Sequence, residues 1–142
     1  MVRFDTDEQR AENRGSQGTG SVNVSTGITK TYWKLTEIDG RSATRGADGQ
    51  ELHMTLSDGD EPRVSGFSGC NRFFGSYKLE GKSLSFRPIA MTRMACAEGM
   101  EQEIAFHRAL EMVVEYSIND GALMLLAASR AVVLTFDAGE IV

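Results

Sequence analysis

From Tyr32 onward the chain alternates apolar and polar residues with the period of a half-buried strand. Trp33 and Leu35 share one face of Tyr32–Ile38, and Asp39-Gly40 follows as a turn. Leu52, Met54 and Leu56 alternate with His53, Thr55 and Ser57 until Asp58-Gly59-Asp60 interrupts the run. Arg63–Ser68 and Arg72–Glu80 predict two further strands, the second with Phe73, Tyr77 and Leu79 at even offsets. Glu80-Gly81-Lys82 makes a hairpin connection into Ser83–Arg87, where Leu84 and Phe86 alternate with polar residues. Pro88 ends that strand because it has no N–H to donate to a ladder.

The rhythm changes once. Between Glu98 and about Glu115, Phe106, Ala109, Leu110 and Val113 fall on one helical stripe. Glu101, Arg108, Glu111 and Glu115 lie mostly elsewhere, and the segment is rich in strong helix formers. Tyr116–Ile118, Ala122–Ala127 and Val132–Asp137 then return to strand, with Asn119-Asp120-Gly121 as a turn. The expected fold is mostly β (α+β), with about eight antiparallel strands curled into a partial barrel. One helix is inserted after the fifth strand. Trp33, Leu35, Leu52, Met54, Leu56, Leu84, Phe86, Leu123, Leu125, Leu134 and Phe136 are the predicted interior. Phe106, Leu110 and Val113 cap it.

Residues 1–28 differ in kind. Arg14–Ser21 is rich in Gly and Ser, and the segment has too few apolar residues to offset the entropy of ordering. It reads as a flexible tail or linker, with a short strand at Val2–Phe4, ahead of one domain over 29–142. Met1–Glu8 lacks the apolar run of a signal peptide.

Composition narrows the function classes. A chain of 142 residues, 41% apolar and 25% charged, is an ordinary globular domain. Its net charge of −5, with basic residues scattered, argues against nucleic acid and against a polybasic membrane surface. No apolar run approaches the roughly 18 to 20 residues that span a bilayer.

Candidate chemistry is sparse. Gly66-Phe67-Ser68-Gly69-Cys70 imitates a nucleophile elbow, but Cys70 replaces the last glycine and strand residues follow where a helix is required. Gly18-Thr19-Gly20 lacks the third glycine of a dinucleotide loop. Asp58, Asp60 and Glu61 read as a solvated acidic turn, since an EF-hand loop needs a central glycine and distal glutamate. His53 and His107 have no partner nearby in sequence, and core filling is the commoner use of Met91, Met94 and Met100. No catalytic residue, metal site or cofactor is assigned. Cys70 and Cys96 cannot build a zinc site and leave a disulfide, two buried thiols or a redox pair open. Phe67, Phe73 and Phe74 are either core or a candidate binding surface for a partner or apolar ligand.

Gly69-Cys70-Asn71, Gly75 and Tyr77, Thr92-Arg93-Met94-Ala95-Cys96 and Glu103-x-x-Phe106-x-x-x-Leu110 resemble the META/HslJ domain family. The likeness continues through Tyr116, Gly121, Leu123, Leu125, Leu134 and Phe136, and runs from about Thr31 to Asp137. Gly69, Cys70, Asn71, Thr92, Met94 and Cys96 carry its most specific part. The resemblance implies a small β-rich domain with one helix, exported in bacteria and often a lipoprotein. It also implies ties to heat-shock response and drug resistance, with no enzymatic activity to carry across. An envelope location, with the leader removed, would make Cys70–Cys96 a disulfide. The expected role is a non-catalytic, monomeric accessory or binding domain of the envelope. Its partner would be an envelope protein or apolar ligand in a cleft between helix and sheet. A structural module of a larger lipoprotein, or less readily an enzyme, is the alternative.

Overall fold

The structure, a computed structural model, describes residues 27–87 and 89–139. The strand expected at Val2–Phe4 and the tail to residue 26 lie outside the described residues. Alternation and turn chemistry produce ten strands and one helix in the order β1 (Tyr32–Ile38), β2 (Arg41–Ser42), β3 (His53–Ser57), β4 (Arg63–Phe67), β5 (Arg72–Glu80), β6 (Ser83–Phe86), β7 (Ala90–Met91), α1 (Met100–Met112), β8 (Val113–Asn119), β9 (Ala122–Ala127) and β10 (Val132–Gly139). β2 and β7 are two-residue additions, and a 3-10 turn at Ala47–Gly49 precedes β3. Asp120 and Gly121 both take positive φ, 51° and 80°, as a two-residue hairpin loop between β8 and β9 requires.

The eight longer strands pair antiparallel in the order β10-β9-β8-β6-β5-β4-β3-β1. β1 also pairs with β10, so the expected partial barrel is a closed one. Closure removes the two sheet edges that would otherwise expose a row of unpaired backbone groups. The ladder is thinnest between β6 and β8, a single residue pair Ser83–Glu115, because the helical connection intervenes there. Register shifts at Thr36 in β1, Val114 in β8 and Val133 in β10 mark bulges, which add local twist. They also reset the alternation, so that Leu35 and Ile38 both face inward and so do Val133 and Leu134.

The interior contains the residues expected from the pattern and adds Ile28, Ile38, Val64, Phe67, Cys70, Phe73, Tyr77, Ala109, Ala127 and Val133. Phe86 is only half-buried. Trp33 is fully buried, and its indole N–H donates to the Ile28 carbonyl at 2.9 Å, so its polar atom is satisfied. Gly66 in β4 sits directly opposite Phe73 of β5. Any side chain there would collide with the Phe73 ring and the His53 carbonyl, so Gly66 makes room for that ring.

The helix packs against β1, β6 and β10 and buries Phe106, Ala109 and Leu110. It ends three residues before the Glu115 limit expected from the stripe. Val113 turns extended (φ −70°, ψ 130°) and starts β8, still buried. The β-branched pair Val113-Val114 prefers the strand, where Val113 pairs with Ala127. One buried valine therefore fits either period, and the sheet decided. Phe106 meets Phe73 edge-on at 5.5 Å and Phe136 at 6.1 Å, joining helix to barrel. Replacing it by alanine (F106A) is expected to remove roughly 3–5 kcal/mol of stability in urea unfolding. Phe74→Ala, on the outer face, should cost less than about 1 kcal/mol.

Candidate functional site

Three stretches of backbone cross at glycines. Gly46 precedes the 3-10 turn, Gly69 lies in the β4–β5 loop, and Gly99 caps the start of α1. A Cβ on any of the three would run into the backbone of another. Gly69 and Gly99 also take positive φ, 133° and 94°. The Gly69 carbonyl accepts from Ala47 N at 2.8 Å, tying the first two segments. Gln102 binds the first segment to the helix: its amide donates to the Thr44 carbonyl at 3.1 Å and accepts from Thr44 N at 2.9 Å. Three loops distant in sequence thus meet without intervening side chains.

The charge beneath this crossing is Glu103, one helical turn past Gly99 and 3% exposed. Its carboxylate accepts four hydrogen bonds. Ser68 Oγ donates at 2.9 Å, Cys70 N at 3.0 Å, Asn71 N at 2.6 Å and Asn71 Nδ2 at 2.8 Å. Burial pushes the Glu103 carboxyl up, but the donors from Asn71, Ser68 and Cys70 outweigh it and hold the carboxyl below its ordinary 4.5. His107, one turn further along α1, places Nε2 at 3.0 Å from Ser68 Oγ. Burial pushes this imidazole below its ordinary 6.5, against the pull of Glu103 and Glu111, so it is neutral at pH 7. Both other partners of Ser68 Oγ, the Glu103 carboxylate and the Asn71 carbonyl, can only accept, so the hydroxyl proton goes to one of them and His107 Nε2–H donates to the oxygen.

Asn71 carries the network outward. Its Oδ1 accepts from Met94 N at 2.7 Å and from Thr92 Oγ1 at 2.9 Å, and its Nδ2 donates to the Met94 carbonyl at 3.2 Å. Cys70 and Cys96 are joined by a disulfide across 26 residues, with Cα atoms 5.9 Å apart. Gly69, Cys70, Asn71, Thr92, Met94 and Cys96 therefore form one assembly that fixes the irregular strand-to-helix connection to the β4–β5 loop. Asn71 acts through its amide; the left-handed position in this loop belongs to Gly69.

The arrangement departs from that of a hydrolytic triad. The carboxylate contacts the serine hydroxyl instead of orienting the imidazole, and Ser68 is completely buried. Phe67 and Phe73 belong to the core, 3% and 0% exposed, and do not contribute to a binding surface. They are drawn in because Phe73 fills the space over Gly66 and meets both Phe106 and His107. Phe74 does face solvent, 48% exposed, on the outer wall of β5. Met91 and Met94 are surface residues and do not fill the core. His53 stacks on Tyr32 at 4.8 Å, and Tyr32 donates to Glu51 at 3.1 Å. Burial first, then that bond and the Glu51 charge, push the Tyr32 hydroxyl up to about 12. Among the described residues, no three His, Cys, Asp or Glu side chains converge as a metal site. No helix among them is long and apolar enough to cross a membrane.

Glu103 has no role legible in the sequence by itself. The signal was present, because Glu103, Phe106 and Leu110 follow i, i+3, i+7 spacing, which puts a carboxylate on the apolar stripe. A buried acid on such a stripe needs donors from elsewhere in the fold.

A closed eight-stranded antiparallel barrel with one capping helix and a cystine-tied loop defines the class. Residues 26–140 match the META domain, and the chain belongs to that family. It is 31% identical over 101 residues to the heat shock protein HslJ of Escherichia coli K12, a match covering 71% of this chain and 64% of that protein. An NMR structure of a protein from Burkholderia xenovorans superposes with a TM-score of 0.65 at 31% identity, covering 85% of this chain and 96% of that one. A DUF4847 family protein from Bacteroides vulgatus shares the fold, with a TM-score of 0.55 at 11% identity over 81% of this chain and 96% of that one.

Acid sensitivity follows from the two shifted groups. Below pH 6.5 the unfolded chain protonates His107 while the native state resists, so stability falls as pH drops through and below that value. Glu103 contributes a second stabilisation, fully present above 4.5 and lost as pH falls through its lowered native value. Urea midpoints measured against pH should show both windows, and His107→Gln should flatten only the upper one. Glu103→Gln leaves several donors facing an amide and should cost roughly 2–3 kcal/mol at neutral pH. Reducing the disulfide should lower stability by about 3–4 kcal/mol on the loop-entropy account.

Proposed function

We propose that this protein is a non-catalytic accessory domain of the cell envelope that acts by binding. The observation that carries this reading is a polar cluster whose Ser68, Asn71 and Glu103 are buried, with His107 at its half-buried edge. Ser68, Asn71, Glu103 and His107 bond chiefly to one another and to local backbone. A catalytic group must touch its substrate, and Ser68 and Glu103 are shut off from solvent. The disulfide supports an oxidising compartment, since glutathione and thioredoxin keep cytosolic thiols reduced. The relative in Escherichia coli bears a heat-shock name, which supports a stress-related role.

Burial of Phe67 and Phe73 removes two aromatics from the apolar surface that a binding role first suggested. The binding reading rests instead on an open groove on the outer wall of the barrel, which takes no residue from α1. A purely structural module of a lipoprotein is the second reading, favoured by the share of the polar network given to bracing.

Thiol trapping in fractionated cells tests the location. The protein should be found with the envelope and should resist alkylation until a reductant is added. Recovery from the cytosol with two reactive thiols would overturn the proposal. So would turnover of a substrate that is lost in Ser68→Ala while the fold is retained.

A further inference from the structure

The geometry points to a phosphate-binding groove on the outer wall of β4, β5 and β6, formed by Arg63, Ser76, Lys78 and Arg87. This deepens the binding role proposed above and rests on it. Sheet register places the groups. Ser76 of β5 pairs with Arg63 of β4 on one side, and its carbonyl accepts from Arg87 N at 2.8 Å on the other. Two arginines therefore flank one serine in a cross-strand row, their Cα atoms about 9–10 Å apart across two strand spacings. Lys78 lies two residues along β5 on the same face, opposite Ser85. Tyr77, between them, points inward and is buried, so the cations stand on a small, polar floor of Gly75 and Ser76. The resulting groove is open and holds about 600 Å³.

Charge complementarity selects the occupant. The chain carries net charge −5, yet this wall gathers three cations around one hydroxyl. Among the described residues, neither Lys78 nor Arg87 has a carboxylate within ion-pair distance. Arg63 is held by Glu61 at 2.6 Å, and Glu61 and Asp60 form the rim at the β3–β4 turn. A phosphate group brings close to two negative charges and three acceptor oxygens, matching planar guanidinium forks better than a single carboxylate does. The acidic rim would repel a polyanion that overran the groove. The ligand is thus a compact phosphate-bearing molecule, either a free solute or an exposed lipid headgroup.

Amide chemical shifts of the full chain, followed during titration with inorganic phosphate at constant ionic strength, test the site. Saturable shifts should centre on Gly75, Ser76, Lys78 and Arg87, leaving the Asp120-Gly121 hairpin unmoved. Arg87→Gln should weaken binding about tenfold, the scale of one charge-assisted hydrogen bond. Glu61→Gln should tighten it by freeing Arg63, a gain that damage to the fold would not produce. Unsaturable shifts, shifts spread over all cationic residues, or variants indistinguishable from the parent would overturn the site. Sedimentation with phosphatidylglycerol vesicles then identifies the source: binding that phosphate competes away marks a lipid headgroup, and its absence marks a soluble phosphate ester. An oxidised envelope protein that ignores phosphate defeats only this inference. A reduced cytosolic one that binds it defeats only the location and so the accessory role.

Discussion

One carboxylate organises the end of this barrel. Glu103 lies on the buried side of α1, where an ionised acid is unfavourable unless its oxygens are fully engaged. The β4–β5 loop supplies that engagement, turning the Ser68 hydroxyl, two consecutive backbone amides and the Asn71 amide onto it. Among the described residues, the Cys70 and Asn71 N–H groups of the loop have Glu103 alone as acceptor. Each side therefore makes the other's burial tolerable, and removing either leaves unpaired polar groups inside. The close glycine crossing follows from the same demand, because the loop must approach the helix nearer than any Cβ allows.

Around that anchor the remaining constraints add up without duplicating one another. The disulfide ties Cys70 to the segment before α1, restricting the unfolded chain. Asn71 holds the same segment by hydrogen bonds at Met94 and Thr92. Phe106 joins the helix to the barrel interior through Phe73 and Phe136. Chemistry at the anchor and packing at the core therefore meet along one helix, at residues three apart.

The same division separates bracing from surface. The inward side of β5 belongs to the core through Phe73 and Tyr77, while its outward side presents Phe74, Ser76 and Lys78. Strand alternation makes this possible, since neighbouring residues on one backbone face opposite environments. The barrel's outer wall can carry charge and grooves without disturbing its interior.

How much could be read before folding varies by element. Period-two runs, the Asp120-Gly121 turn and the stripe of α1 are local signals, so they locate the eight strands, the helix and the larger part of the core. Bulges at Thr36, Val114 and Val133 leave no such mark, because they are defined by the register of a strand against its partner. The end of α1 was ambiguous for a related reason: Val113 is apolar in either period, and only its pairing with Ala127 chose the strand. Ser68 and His107, 39 positions apart, show no relation in sequence, and whether Phe67 and Phe73 are core or surface is decided only by Gly66 and the helix that enclose them. Glu103 was legible as an oddity, an acid on an apolar stripe, while its purpose was not. Its partners lie more than thirty positions away, and only the tertiary structure brings those donors within hydrogen-bond reach.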